Sequence, residues 1–144
     1  MPKDPKGVLK KAGLRFGYQN YDYPFVPVDG QLPMDVMLQN TDLELVDFEM
    51  DIYWAYSAGQ YPVKWLKKYP NRFRLCHVKD RKKNVPFSSE NVSCVLGQGE
   101  IDFPKILEVA KRQGMQYYIV EQDWTPINGV TFSSSQNMIA EIHP

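Results

Sequence analysis

Histidine and cysteine are scarce in this chain, with two of each among 144 residues. Two cysteines, Cys76 and Cys94, are too few for a disulfide framework, and their scarcity points to a reduced, cytoplasmic setting. An excess of either charge is also missing. Lys+Arg and Asp+Glu both number 17, so the formal net charge is zero. Such a chain carries no electrostatic footprint for nucleic acid or an anionic membrane. No apolar run approaches the roughly 20 residues that a transmembrane helix needs. The opening residues, MPKDPKGVLKKAG, lack the apolar stretch of a signal peptide. Disorder is excluded by a composition that is 43% hydrophobic and only 24% charged.

What is present is ordinary globular material in an alternating order. The length suits a single domain over 1–144. Nine Tyr, seven Phe and three Trp suit either a packed core or a lined pocket. The pattern predicts four repeats of strand, loop and amphipathic helix. Strands are expected over Leu14–Tyr18, Leu45–Met50, Phe73–His77 and Gln116–Val120, with a small extra strand within Val92–Leu96. Lys10-Lys11-Ala12-Gly13 reads as the end of a helix. A short helix carries Met34, Met37 and Leu38, and another starts near Pro62 and runs to about Tyr69. A third follows Asp102, with Pro104 in its first turn, a stripe of Phe103, Ile106, Leu107 and Ala110, and Gly114 at its end. The fourth is expected over Ser134–Ile142. Strand–helix alternation implies parallel pairing with right-handed crossovers. The strands read as nearly continuous apolar runs, as in a sheet buried on both faces.

Three of these strands lead into a possible metal ligand: Asp51, His77 and Glu121. Parallel α/β folds gather ligands at the carboxyl ends of their strands, so topology alone brings the three to one side. One imidazole with two carboxylates suits Mn²⁺, Mg²⁺, Co²⁺ or Zn²⁺ without choosing among them. Each residue alone also reads as a helix cap or loop contact. Lys79 reads as a contact to a substrate oxygen or phosphate, with Asp80 orienting its neighbours; a surface ion pair between the two is the competing reading. The run Lys79, Arg81, Lys82, Lys83 reads as a solvated loop rather than a phosphate site. Trp54 reads as an apolar wall for a sugar face, against simple loop packing. Strand alternation turns Cys76 away from His77 and into the core.

Several segments together are similar to one family. They are Gly13-Leu14-Arg15-Phe16-Gly17-Tyr18-Gln19-Asn20, Val46-Asp47-Phe48-Glu49-Met50-Asp51, Arg74-Leu75-Cys76-His77-Val78-Lys79-Asp80 and Tyr118-Ile119-Val120-Glu121-Gln122-Asp123, joined by the link Gly97-Gln98-Gly99-Glu100-Ile101-Asp102-Phe103. In order and spacing they resemble the sugar phosphate isomerase/epimerase family with the xylose isomerase-like barrel. The resemblance covers nearly the whole chain. It implies the second half, strands five to eight, of a (β/α)₈ TIM barrel. It also implies a divalent metal held by Asp51, His77 and Glu121. The family's first metal-binding Glu has no counterpart, since Gly17 stands at its position. The His-Asn-His motif of many relatives reads Gln19-Asn20-Tyr21, and a Glu that often follows is Pro24. A glutamine offers only a neutral amide oxygen. Gln19 and Asn20 join Trp54 and Lys79 as candidate substrate contacts.

The implied activity is isomerisation or epimerisation of a sugar or sugar phosphate through a metal-bound enediolate, with Glu121 moving the proton and Lys79 assisting. The competing reading is a non-catalytic relative that binds a carbohydrate or a partner chain beside a decayed metal site. Metal-dependent DNA endonucleases share this barrel, but zero net charge and two histidines argue against them. Four parallel strands leave two open edges, so a homodimer is expected, or else a first half supplied elsewhere.

Overall fold

The protein is described by a computed structural model covering residues 5–89, 92–122, 125–127 and 130–132. In chain order its elements are α1 (Pro5–Lys11), β1 (Phe16–Gln19), a 3-10 turn (Tyr23–Phe25), α2 (Pro33–Asn40), β2 (Val46–Asp51), α3 (Ile52–Ser57), α4 (Pro62–Lys68), β3 (Phe73–Val78), β4 (Asp80–Arg81), β5 (Ser93–Cys94), α5 (Phe103–Arg112), β6 (Tyr117–Val120), β7 (Thr125–Ile127) and β8 (Val130–Phe132). The helix expected over Ser134–Ile142 lies outside the described residues.

Four strands form one parallel sheet in the order β1-β2-β3-β6. Their register sets Gln19 opposite Glu49, Asp51 opposite His77, and Val78 opposite Val120. The carboxyl ends of β2, β3 and β6 therefore reach nearly the same level, and β1 ends two residues short of β2. The helices cover one face. There Phe48, Met50, Phe73, Cys76 and Val78 pack with Met34, Leu38, Trp65, Leu66, Ile106 and Ala110 in a single cluster. The expected core position of Cys76 holds, as it is fully buried.

The other face differs from expectation. β2 is not a continuous apolar strand. In β2 the apolar Phe48 and Met50 alternate with Asp47, Glu49 and Asp51. Alternation sends these three carboxylates to the face opposite the helices, where cations meet them. Arg15 grips Asp47 with two contacts of 2.6 Å, Nε to Oδ2 and Nη2 to Oδ1, and Arg74 approaches Asp47 at 3.7 Å. Arg15 itself precedes β1, which starts later than expected. Gly13, at φ +68, closes the turn after α1, with Leu14 N donating to Leu9 O at 2.9 Å.

Further elements form where the sequence predicts none. α3 occupies a stretch that reads as loop, and the 125–127/130–132 hairpin follows β6. The expected small strand is β5, which pairs antiparallel with β4, Asp80 with Cys94 and Arg81 with Ser93; β4 forms in a stretch that reads as loop. α5 forms as expected, with Asp102 accepting from Lys105 N at 3.3 Å.

Candidate metal centre

Asp51 ends β2 and begins α3, and it serves both at once. Its Oδ1 accepts from Trp54 N at 3.0 Å, capping the helix. Its Oδ2 is left to face His77 and Lys79, at 3.7 Å from His77 Nδ1 and 3.5 Å from Lys79 Nζ. The cap thus occupies one oxygen of the carboxylate and leaves the other turned towards the cluster.

His77 lies near the end of β3. Its Nδ1 is 3.1 Å from Glu121 Oε2 and 2.7 Å from Gln19 Nε2. Its Nε2 lies 3.1 Å from Glu49 Oε1. That approach is off-line, so Glu49 Oε1 is buried without a hydrogen bond of good geometry. Burial opposes charging this imidazole, but contacts with Asp51, Glu121 and Glu49 outweigh it and push the pKa up to about 11. Glu121 shows the reciprocal effect. The hydrogen bond from His77 overcomes burial and, with Lys79, holds its carboxyl down to about 2. The backbone keeps Glu121 beside β3, its N donating to Val78 O at 3.2 Å.

One ligand atom from each of Asp51, His77 and Glu121 lies within 4.8 Å of the others. An imidazole nitrogen and two carboxylate oxygens so grouped fit a small divalent cation. Gln19 adds a fourth arm, its Nε2 also 3.4 Å from Asp51 Oδ2. Turning that amide over would present its oxygen to the same point.

The remaining candidates separate. Asn20 is fully buried. Its Oδ1 accepts from Asp51 N at 3.0 Å and its Nδ2 donates to Asp51 O at 3.2 Å. It clips the end of β1 to the end of β2. Trp54 is half-buried beside Tyr21, ring centroids 5.6 Å apart, and against Tyr53 at 4.9 Å. The surface-ion-pair reading of Lys79 and Asp80 does not hold, because both are buried. Lys79 turns to Glu121 at 3.1 Å. Asp80 Oδ2 accepts from Gly97 N at 3.0 Å and Gly99 N at 2.8 Å. The solvated-loop reading of the basic run fails for Lys79 and for Arg81, which is wholly buried against Glu100 at 2.6 Å. Backbone carbonyls of Val85 and Pro86 also accept from the Arg81 guanidinium. A buried cation needs such partners.

Sequence reasoning missed Glu49. The signal was there, since VDFEMD puts Glu49 on the same strand face as Asp51. Carboxylates that contact the second nitrogen of a ligating histidine fix its orientation.

No family signature matches the chain, and no curated protein matches it significantly. Solved structures do. A sugar phosphate isomerase/epimerase from Parabacteroides distasonis is 34% identical over 85% of this chain, with a TM-score of 0.72. A second from the same organism is 32% identical over 88%, with a TM-score of 0.70. A xylose isomerase domain protein from Planctomyces limnophilus shares the fold over 80% of the chain at 15% identity, with a TM-score of 0.59. The chain spans only 42–44% of the length of these proteins.

Proposed function

With the chain related over most of its own length to sugar phosphate isomerase/epimerase proteins, and bearing part of their TIM-barrel fold, we propose that it is the metal-holding portion of an isomerase or epimerase acting on a sugar or sugar phosphate. The observation that carries this reading is the convergence of Asp51, His77 and Glu121 within 4.8 Å. These three residues would hold a divalent ion, with Gln19 beside them. When bound, the ion supplies Lewis-acid stabilisation of the oxyanion next to the carbon that loses its proton. Glu121 is the carboxylate that moves this proton. Lys79 donates to a substrate oxygen, and Trp54 with Tyr21 forms an apolar wall for the sugar face. Gly17 stands where a second carboxylate would oppose Glu121, which favours one-base shuttling between adjacent carbons, as in aldose–ketose exchange. The free thiols of Cys76 and Cys94 are consistent with a reduced, cytoplasmic setting.

The test is proton exchange. The Mn²⁺-loaded full chain is incubated in D₂O with a panel of ketoses and ketose phosphates and followed by NMR. Deuterium is expected at the carbon beside the carbonyl, and Glu121→Gln abolishes it. Sugar binding without deuterium uptake supports the second reading, a non-catalytic carbohydrate-binding relative, which the neutral Gln19 and Gly17 favour.

We also propose that two copies complete the sheet. Among the described residues β1 and β6 each pair with one strand only. Leu14, Phe16 and Tyr117, at or beside these edges, are 58%, 52% and 51% exposed. A two-fold axis would pair β1 of each copy with β6 of the other, in parallel, giving the eight strands of a closed barrel.

A further inference from the structure

Lys79 is a rare object, a lysine with 2% of its surface exposed. Its ammonium sits 3.1 Å from Glu121 Oε2 and 3.5 Å from Asp51 Oδ2. These are the oxygens that face His77 Nδ1, at 3.1 and 3.7 Å. Two rings bracket the ammonium, with the centroid of Tyr53 at 4.9 Å and that of Trp54 at 5.3 Å. The charge therefore touches two of the three corners of the candidate metal triad and is shielded from water by aromatic faces.

Two carboxylates within 4.8 Å, that of Asp51 wholly buried and that of Glu121 largely so, repel each other unless a cation neutralises them. A divalent ion held by the same oxygens would lie within strong repulsion of an ammonium that stayed in place. We propose that Lys79 is a built-in counter-cation: it holds Asp51 and Glu121 together before metal arrives, competes with the metal for them, and is turned out towards substrate when metal binds. This inference rests on the metal-holding reading of the triad. It adds that the chain's own lysine sets metal affinity and couples metal uptake to release of the group assigned to the substrate oxygen.

Two measurements on the full chain test it. Isothermal titration with Mn²⁺ compares the wild type with Lys79→Met, which keeps the length and loses the charge. The variant is expected to bind Mn²⁺ at least about tenfold more tightly, equivalent to about 1.4 kcal/mol, and to melt below the wild type in EDTA, with Mn²⁺ closing that gap. In the wild type, acetylation of Lys79 followed by mass spectrometry is expected to be slow in EDTA and faster when Mn²⁺ is bound. This second measurement stands even if Lys79→Met fails to fold. Equal or weaker Mn²⁺ binding by a folded Lys79→Met overturns the competition while leaving the metal site intact. So does Lys79 labelling that is unchanged in Mn²⁺-bound wild type. Absence of Mn²⁺ binding in both proteins overturns the metal-holding reading and this inference with it.

Discussion

His77 and Glu121 bind each other's charges, and their shifts predict how the metal-free protein responds to pH. The imidazole, raised from 6.5 to about 11, contributes stability that is complete below pH 6.5 and lost as pH climbs towards 11. The Glu121 carboxyl, lowered from 4.5 to about 2, contributes stability that is present above pH 4.5 and lost as pH falls towards 2. Melting temperatures in EDTA should therefore decline on both flanks, and His77→Gln should flatten the alkaline one. An alkaline decline of equal size in His77→Gln would remove this cause. Glu49 acts on the same imidazole from the other side, 3.1 Å from Nε2. Glu49→Gln is expected to weaken Mn²⁺ affinity by about 10–100-fold, as substitutions behind a ligating histidine do, while leaving the stoichiometry unchanged. Titration calorimetry reads both. At this scale the sequence was legible wherever strand ends fix position. Asp51, His77 and Glu121 meet because three parallel strands end at one level. Lys79 and Arg81 misled because a basic run looks solvated, and nothing local announces that Glu121 and Glu100 will bury its members.

Among the elements, the link from β5 to α5 depends on one glycine. A Cβ on Gly99 would run into the carboxylate of Asp80 and the carbonyl of Arg81. Asp80 needs that closeness to accept from Gly97 N and Gly99 N. Gly99→Ala is expected to cost about 2–3 kcal/mol through overpacking of a buried polar network, read as a lower urea midpoint. A midpoint unchanged from wild type would show that the link yields freely. The elements themselves were largely readable. α5 follows from its Asp102 cap, its Pro104 and a 3.6-residue stripe. The short α3 was not, because six residues of IYWAYS carry little periodicity and the helix is held by the cap from Asp51 rather than by its own sequence. β2 was found in place but misread in character. Its charged face is stable only because Arg15, Arg74 and His77 come to it from remote parts of the chain, and no local pattern contains them.

For the whole molecule, 144 residues make an ordinary domain by size and much less than the ~250 residues of a typical barrel. The two-fold completion proposed above predicts a particle of twice the 16.7 kDa chain mass in light scattering at micromolar concentration. Phe16→Lys, at the exposed end of β1, should drive it to monomer. A wild-type monomer contradicts self-completion. Monomer or dimer, the candidate metal triad lies within one chain, so the central claim stands apart from oligomeric state. It is tested most directly by anomalous scattering from crystals of the full chain soaked in Mn²⁺. The account predicts one strong peak at about 2.0–2.3 Å from a ligand atom of each of Asp51, His77 and Glu121. A soaked crystal with no peak between those three side chains, or with its peak elsewhere, would contradict it.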